Sequence, residues 1–196
     1  RRRAEEGAEV TAPRPAPGTD APAGWTTLRA LDGRLAKVIR QEGDGPIEVV
    51  DYDKAFEFAA NLEAVLTTRD LYRRLAELQD DSQSCIVSGA IAEGADPSRM
   101  RRLAHDKADA LATLADIPRS VWTFDFDLEM TEEEAEKYQV VADPDAAVDY
   151  ALELGPTALR EADLVWSFGA SAGIKPRKLS LHFATLTDRP ALGSEI

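Results

Sequence analysis

Cysteine is nearly absent from this sequence. Cys85 stands alone among 196 residues, so no disulfide forms within the chain, and that usage fits a reducing, cytoplasmic setting. Histidine is almost as scarce, with two residues. His105 has no cysteine or second histidine near it, and Asp106 alone does not make a metal site. Cations are in the minority: 23 Lys and Arg stand against 36 Asp and Glu, a formal net charge of −13. Such a surface argues against tight, non-specific binding of nucleic acid by the whole molecule, while a local basic groove stays compatible with it. No apolar run approaches the ~20 residues that span a bilayer, so no membrane partner is expected. The chain opens on Arg1-Arg2-Arg3 with no hydrophobic stretch behind it, so no signal peptide is read. Without an initiator Met, the window is expected to be part of something longer. Phosphate-binding fingerprints are missing too: neither G-x-x-x-x-G-K-[ST] nor G-x-G-x-x-G occurs.

The length suits one domain, and 44% hydrophobic residues support a sizeable core. Residues 1–24 are rich in Ala, Gly and charge, with Pro13, Pro15, Pro17 and Pro22 spaced through them. They bury too little apolar surface to offset their ordering entropy, which predicts a disordered linker. Order is expected from Trp25, and residues 25–196 form the domain.

Leu35, Val38 and Ile39 predict a strand over Arg34 to Arg40, and Gly43-Asp44-Gly45 a turn into a returning strand at Ile47 to Val50. Tyr52 to Phe58 is mixed: the alternation of Phe56 and Phe58 suggests another strand, while the alanines permit a helix. Thr67 or Thr68 caps a helix carrying Leu71, Leu75 and Leu78 at helical spacing. Ser84 to Gly89 reads as a short buried strand ending in a glycine turn. Asp96-Pro97 offers a helix start, followed by the basic cluster Arg99, Arg101 and Arg102. Thr131 and Glu134 form a capping box. Asp143-Pro144 opens a helix that Gly155-Pro156 ends. Strands are predicted at Ala162 to Phe168 and Leu179 to Leu186. The sum is an α+β sandwich around a mixed sheet, flanked by helices.

Two stretches carry chemistry. Val121-Trp122-Thr123-Phe124-Asp125-Phe126-Asp127-Leu128 reads as a strand, and residues two apart in a strand share a face. Asp125 and Asp127 therefore project side by side. Carboxylates held so close repel unless a cation neutralises them, and a hard divalent ion such as Mg²⁺ accepts carboxylate oxygens while leaving positions for phosphate. The plainer alternative is a strand end passing into an acidic loop, since Glu129 and Glu132 to Glu134 follow. Further on, the loop Ser167 to Lys178 is rich in small residues and holds Lys175, Arg177 and Lys178, which suits close approach of a phosphate. Next comes Leu179-Ser180-Leu181-His182-Phe183, where Ser180 and His182 again share a face. A lone strand histidine is more often structural, but its serine neighbour and the basic loop weigh against that reading.

A D-h-D strand, a small-residue loop and then S-x-H on a strand resemble the archaeo-eukaryotic primase superfamily. Trp166 to Pro176, Leu179 to Phe183 and Thr187-Asp188-Arg189-Pro190 resemble its bifunctional primase-polymerases of phages and mobile elements. Ser84 to Gly89 and Ala115-Asp116-Ile117-Pro118-Arg119 are similar to that family as well, so the likeness spans Leu28 to Pro190.

The resemblance implies a primase-polymerase catalytic core (its RRM-like half) and DNA primase/polymerase activity. Asp125 and Asp127 match the acids that hold catalytic Mg²⁺ or Mn²⁺. Ser180 and His182 match the motif that holds the triphosphate of an incoming nucleotide, and Lys175 lies where a phosphate contact fits. No match exists for the family's third acidic motif: Asp188 lies in a turn, so the domain is expected to stop short of it. Implied partners are nucleoside triphosphates, a single-stranded DNA template and a helicase module downstream. In such nucleotidyl transfer a 3′ hydroxyl attacks the α-phosphorus in line and pyrophosphate leaves. Arg99 to Arg102, Arg119 and Lys175 to Lys178 are the candidate template path. Two competing readings are a phosphatase of haloacid-dehalogenase type, which wants Thr or Val where Glu129 stands, and an inactive nucleic-acid-binding replication module.

Overall fold

A computed structural model describes residues 24–138, 142–170, 172–174 and 177–192. The linker expected over residues 1–24 lies outside the described residues except for Gly24, as does Lys175. In chain order the elements are β1 (Gly24–Ala30), β2 (Val38–Arg40), β3 (Glu48–Val50), β4 (Phe58–Ala64), α1 (Thr68–Gln79), β5 (Ser84–Val87), β6 (Ala90–Ile91) and β7 (Leu114–Ala115). They continue with β8 (Arg119–Glu129), α2 (Glu132–Tyr138), α3 (Pro144–Leu154), α4 (Thr157–Glu161), β9 (Leu164–Phe168) and β10 (Lys178–Ala191).

The class is α+β, but the expected mixed sheet is replaced by several small antiparallel ones. Two three-stranded sheets run β4-β1-β5 and β8-β10-β9, and two hairpin-sized sheets pair β2 with β3 and β6 with β7. The physical reason lies in one insertion. The helical connection α2-α3-α4 carries the chain from β8 to β9, which point the same way, as strand–helix–strand alternation predicts. Then β10 enters between them and pairs antiparallel with both.

Local chemistry explains the helices that position this sheet. Thr67 accepts a hydrogen bond from the Asp70 amide at the start of α1, satisfying a donor with no intrahelical partner. Leu71 is fully buried, and Leu75 and Leu78 pack beside it. Asp143 caps α3 through the Ala146 amide, Pro144 occupies the first turn, and Gly155 follows the last residue. The capping box at α2 forms as expected: the Thr131 amide donates to Glu134, and the Glu134 amide donates to the Thr131 hydroxyl. Tyr150 of α3 donates to the same carboxylate at 2.6 Å and stacks on Tyr138 at 4.0 Å, tying α2 to α3.

Three expectations fail locally. Asp96 starts no helix; its carboxylate accepts from the amide and hydroxyl of Ser98, an Asx-type turn, and the chain then bridges Met100 to Phe58. Phe56 is 70% exposed in a loop, and the strand there begins only at Phe58. Thr187 to Pro190, read as a turn around Asp188, belongs to β10, whose pairing with β8 shifts register between Leu186 and Ala191. Gly89 does end β5 in a turn. Its φ is +105°, and a Cβ there would stand 2.7 Å from the Ala115 carbonyl oxygen.

The core decides which part of the β8-β10-β9 sheet stays open. One face carries Leu179, Leu181 and Phe183, buried with Val148, Tyr150 and Ala151 of α3. On the other face Val121, Ala184 and Val165 pack against Trp25, Val65 and Leu71 of the first half of the chain. That cover reaches only one end of the sheet. Beyond it Asp125, Asp127 and His182 are exposed on the same face, with Ser180 buried between them and β9.

Candidate active site

Along β8 the burial alternates from Thr123 to Glu129: Thr123, Asp125, Asp127 and Glu129 are exposed, while Phe124, Phe126 and Leu128 are half-buried against the helices. The period-two pattern thus puts both aspartates on the open face. Pairing with β10 sets Asp125 opposite His182, Asp127 opposite Ser180 and Glu129 opposite Lys178. Directly opposed residues of an antiparallel pair project to the same side. Two motifs more than fifty residues apart in sequence therefore meet side chain to side chain.

The contacts are specific. His182 Nδ1 lies 2.6 Å from Asp125 Oδ1. An ionised carboxylate only accepts, so the proton of this bond sits on Nδ1 and Nε2 faces away from it. Lys178 Nζ lies 3.2 Å from Asp127 Oδ1. The Asp127 carboxyl is held below the usual carboxylate range, first by the Ser180 hydroxyl donating to it and then by Lys178, with His182 adding a smaller favourable charge. Burial pushes the other way, less strongly than the Ser180 hydroxyl acts but ahead of either Lys178 contribution, and the net direction stays downward. The face presents the Asp125 and Asp127 carboxyl groups beside the Lys178 amine and the His182 ring.

A third strand contributes residues that the motifs did not single out. Ser167 of β9 stands opposite His182 on its other side, giving a row Asp125–His182–Ser167 across three strands. Alternation within Leu164–Phe168 already places Val165 and Ser167 on one side; only the pairing partner was missing. Gly169, just past β9, donates its amide to the Ser180 carbonyl at 2.9 Å.

The template-path candidates separate. Arg99 is bound through two nitrogens to Glu57, and Arg101 pairs with Asp109 at 3.2 Å. Arg119 is 9% exposed, pairs with Asp116 and lies 4.2 Å over the Trp122 ring, so it serves the interior. Arg177 stands 3.8 Å from Glu129. Of the cations considered, Lys178 reaches the aspartate pair; Lys175 falls outside the described residues.

Asp125 and Asp127 are exposed oxygen donors on one face, the donor type a hard divalent cation takes. Mg²⁺ needs one or two carboxylates when water and substrate phosphates complete its shell. Among the described residues no group of three or more His, Cys, Asp or Glu is arranged to hold a metal by protein ligands alone. No family model matches the chain, and comparison with curated proteins and with solved structures found no match.

Proposed function

We propose that the open face of the β8-β10-β9 sheet is the nucleotide-binding half of a metal-dependent nucleotidyltransferase. The reading is a DNA primase/polymerase serving replication of a phage, plasmid or mobile element, with a helicase module downstream in the parent protein. What supports it is one observation: the cross-strand pairs Asp125–His182 and Asp127–Ser180. A primase-polymerase core needs its acidic motif and its S-x-H motif in one basin, and these pairs meet that demand.

In this reading Asp125 and Asp127 hold Mg²⁺ or Mn²⁺, which supplies positive charge to the reacting phosphates. Lys178 and His182 balance further charge on the triphosphate, and fixed donors cost little reorganisation when charge develops there. Asp125 orients the His182 ring through Nδ1, so that Nε2 is presented to the ligand. Ser180 keeps Asp127 charged and aimed. Single-stranded template then lies along the open end of the face.

A primer-extension assay on the full-length protein with Mn²⁺ tests the proposal. Asp125→Ala combined with Asp127→Ala should abolish incorporation while the fold is kept. Incorporation at the wild-type rate by that double variant overturns the assignment. One observation favours a second reading, a binding module without catalysis: among the described residues no three or more His, Cys, Asp or Glu are grouped so as to hold a metal. That module would bind single-stranded DNA equally well with and without Mn²⁺, and the double variant would leave binding unchanged.

A further inference from the structure

We infer that Gly169 is a positioning residue of this site: the space its absent side chain leaves is filled by the Ser180 hydroxyl, which is thereby held against Asp127. The inference rests on the nucleotidyltransferase reading for its functional consequence, and on the packing of Gly169 against Ser180 for its steric part. A Cβ built on Gly169 would stand 2.2 Å from Ser180 Oγ, 3.1 Å from Ser180 Cβ and 3.2 Å from His182 Nε2. The first distance is far inside van der Waals contact.

Backbone conformation is not what demands glycine here. Gly169 is absent from the positive-φ glycines among the described residues, which are Gly33, Gly43, Gly89, Gly94 and Gly173. Space is the constraint. Both Gly169 and Ser180 are buried, and the Gly169 amide bonds the Ser180 carbonyl. The amide–carbonyl bond ties the two backbones together, so an added methyl group displaces the hydroxyl, which stands on the strand position paired with Asp127. It also crowds the imidazole nitrogen that faces the ligand. Gly169 touches no reacting atom; it acts through Ser180 and His182.

The test is a double-mutant cycle in the full-length protein, with Gly169→Ala, Ser180→Ala and both together. Nucleotide incorporation with Mn²⁺ and thermal unfolding are measured for each. Gly169→Ala should lower kcat/KM by about a hundredfold, the scale of a misplacement near 1 Å, and should lower Tm. In the Ser180→Ala background the hydroxyl is gone, so adding Gly169→Ala should cost little more in either readout. Additive losses in both readouts overturn the inference, because a residue acting through Ser180 has nothing left to displace once that hydroxyl is removed. The two claims fail differently. If wild-type protein incorporates no nucleotide but the Tm cycle is non-additive, the steric inference stands and the nucleotidyltransferase reading falls. If incorporation is normal in wild type and Gly169→Ala matches it in kcat and KM, the positioning inference falls alone.

Discussion

Asp127 and His182 sit on one sheet face but answer to different neighbours, and substitutions should separate them. Ser180 is the first cause of the lowered Asp127 pKa and Lys178 follows it. A depressed carboxylate pKa contributes stability above the unfolded value, and that contribution is lost as pH falls through the folded one. Ser180→Ala should therefore move the Asp127 titration upward, toward the ordinary carboxylate value, as read by carboxyl-carbon NMR. An unmoved titration would contradict the hydroxyl's role. If the proposed nucleotidyltransferase reading holds, His182→Ala should weaken nucleoside triphosphate binding more than oligonucleotide binding. Equal losses in both titrations would count against the triphosphate role. Tyr150 offers a control remote from the open face. Its hydroxyl donates to Glu134, and that carboxylate pushes the phenol up to about 12. The stabilisation is complete below the unfolded phenol's value of ~10 and disappears as pH rises through about 12. In Glu134→Gln, phenolate absorbance from Tyr150 should appear at lower pH than in wild type.

At the scale of elements, helix ends and burial stripes follow from short stretches of sequence, and the energetics can be checked one element at a time. Thr67→Ala removes the α1 cap and should cost ~1 kcal/mol in denaturant unfolding. Leu71→Ala empties a fully buried position where α1 meets the β8-β10-β9 sheet and should cost about 2–5 kcal/mol. The helices expected from Thr67 and Asp143-Pro144 were legible because cap, apolar spacing and terminator all lie within a dozen residues. Asp96-Pro97 carries the same cap signal without an amphipathic stripe behind it, and there the Asx turn wins. Arg119 shows a related limit. Within the sequence it is one more cation near other cations, and only the packing of Trp122 and Asp116 around it shows that it is interior.

For the whole molecule, the readable part of the site was its period-two spacing, and the unreadable part was strand partnership. Asp125/Asp127 and Ser180/His182 each declare a shared face, because alternation is a local property of a strand. Which strand lies beside which is a long-range choice, set by apolar faces that must be covered together. Hence β1 as the centre of its own sheet, and β10 inserted between β8 and β9, were not legible, and the single mixed sheet gave way to separate antiparallel ones. Among the described residues no helix is long and apolar enough to cross a membrane. The net charge of −13 leaves the cations of the open face, Lys178 foremost, to attract an anionic ligand locally.

Paramagnetic broadening of NMR resonances by Mn²⁺ tests most directly whether the two motifs form one metal-dependent basin. The account predicts selective broadening at Asp125, Asp127, Ser180 and His182 at low Mn²⁺, strengthened by nucleoside triphosphate and lost in the Asp125→Ala/Asp127→Ala variant. Broadening confined to other acidic surfaces such as Glu132 to Glu134, or unchanged in that variant, would contradict it.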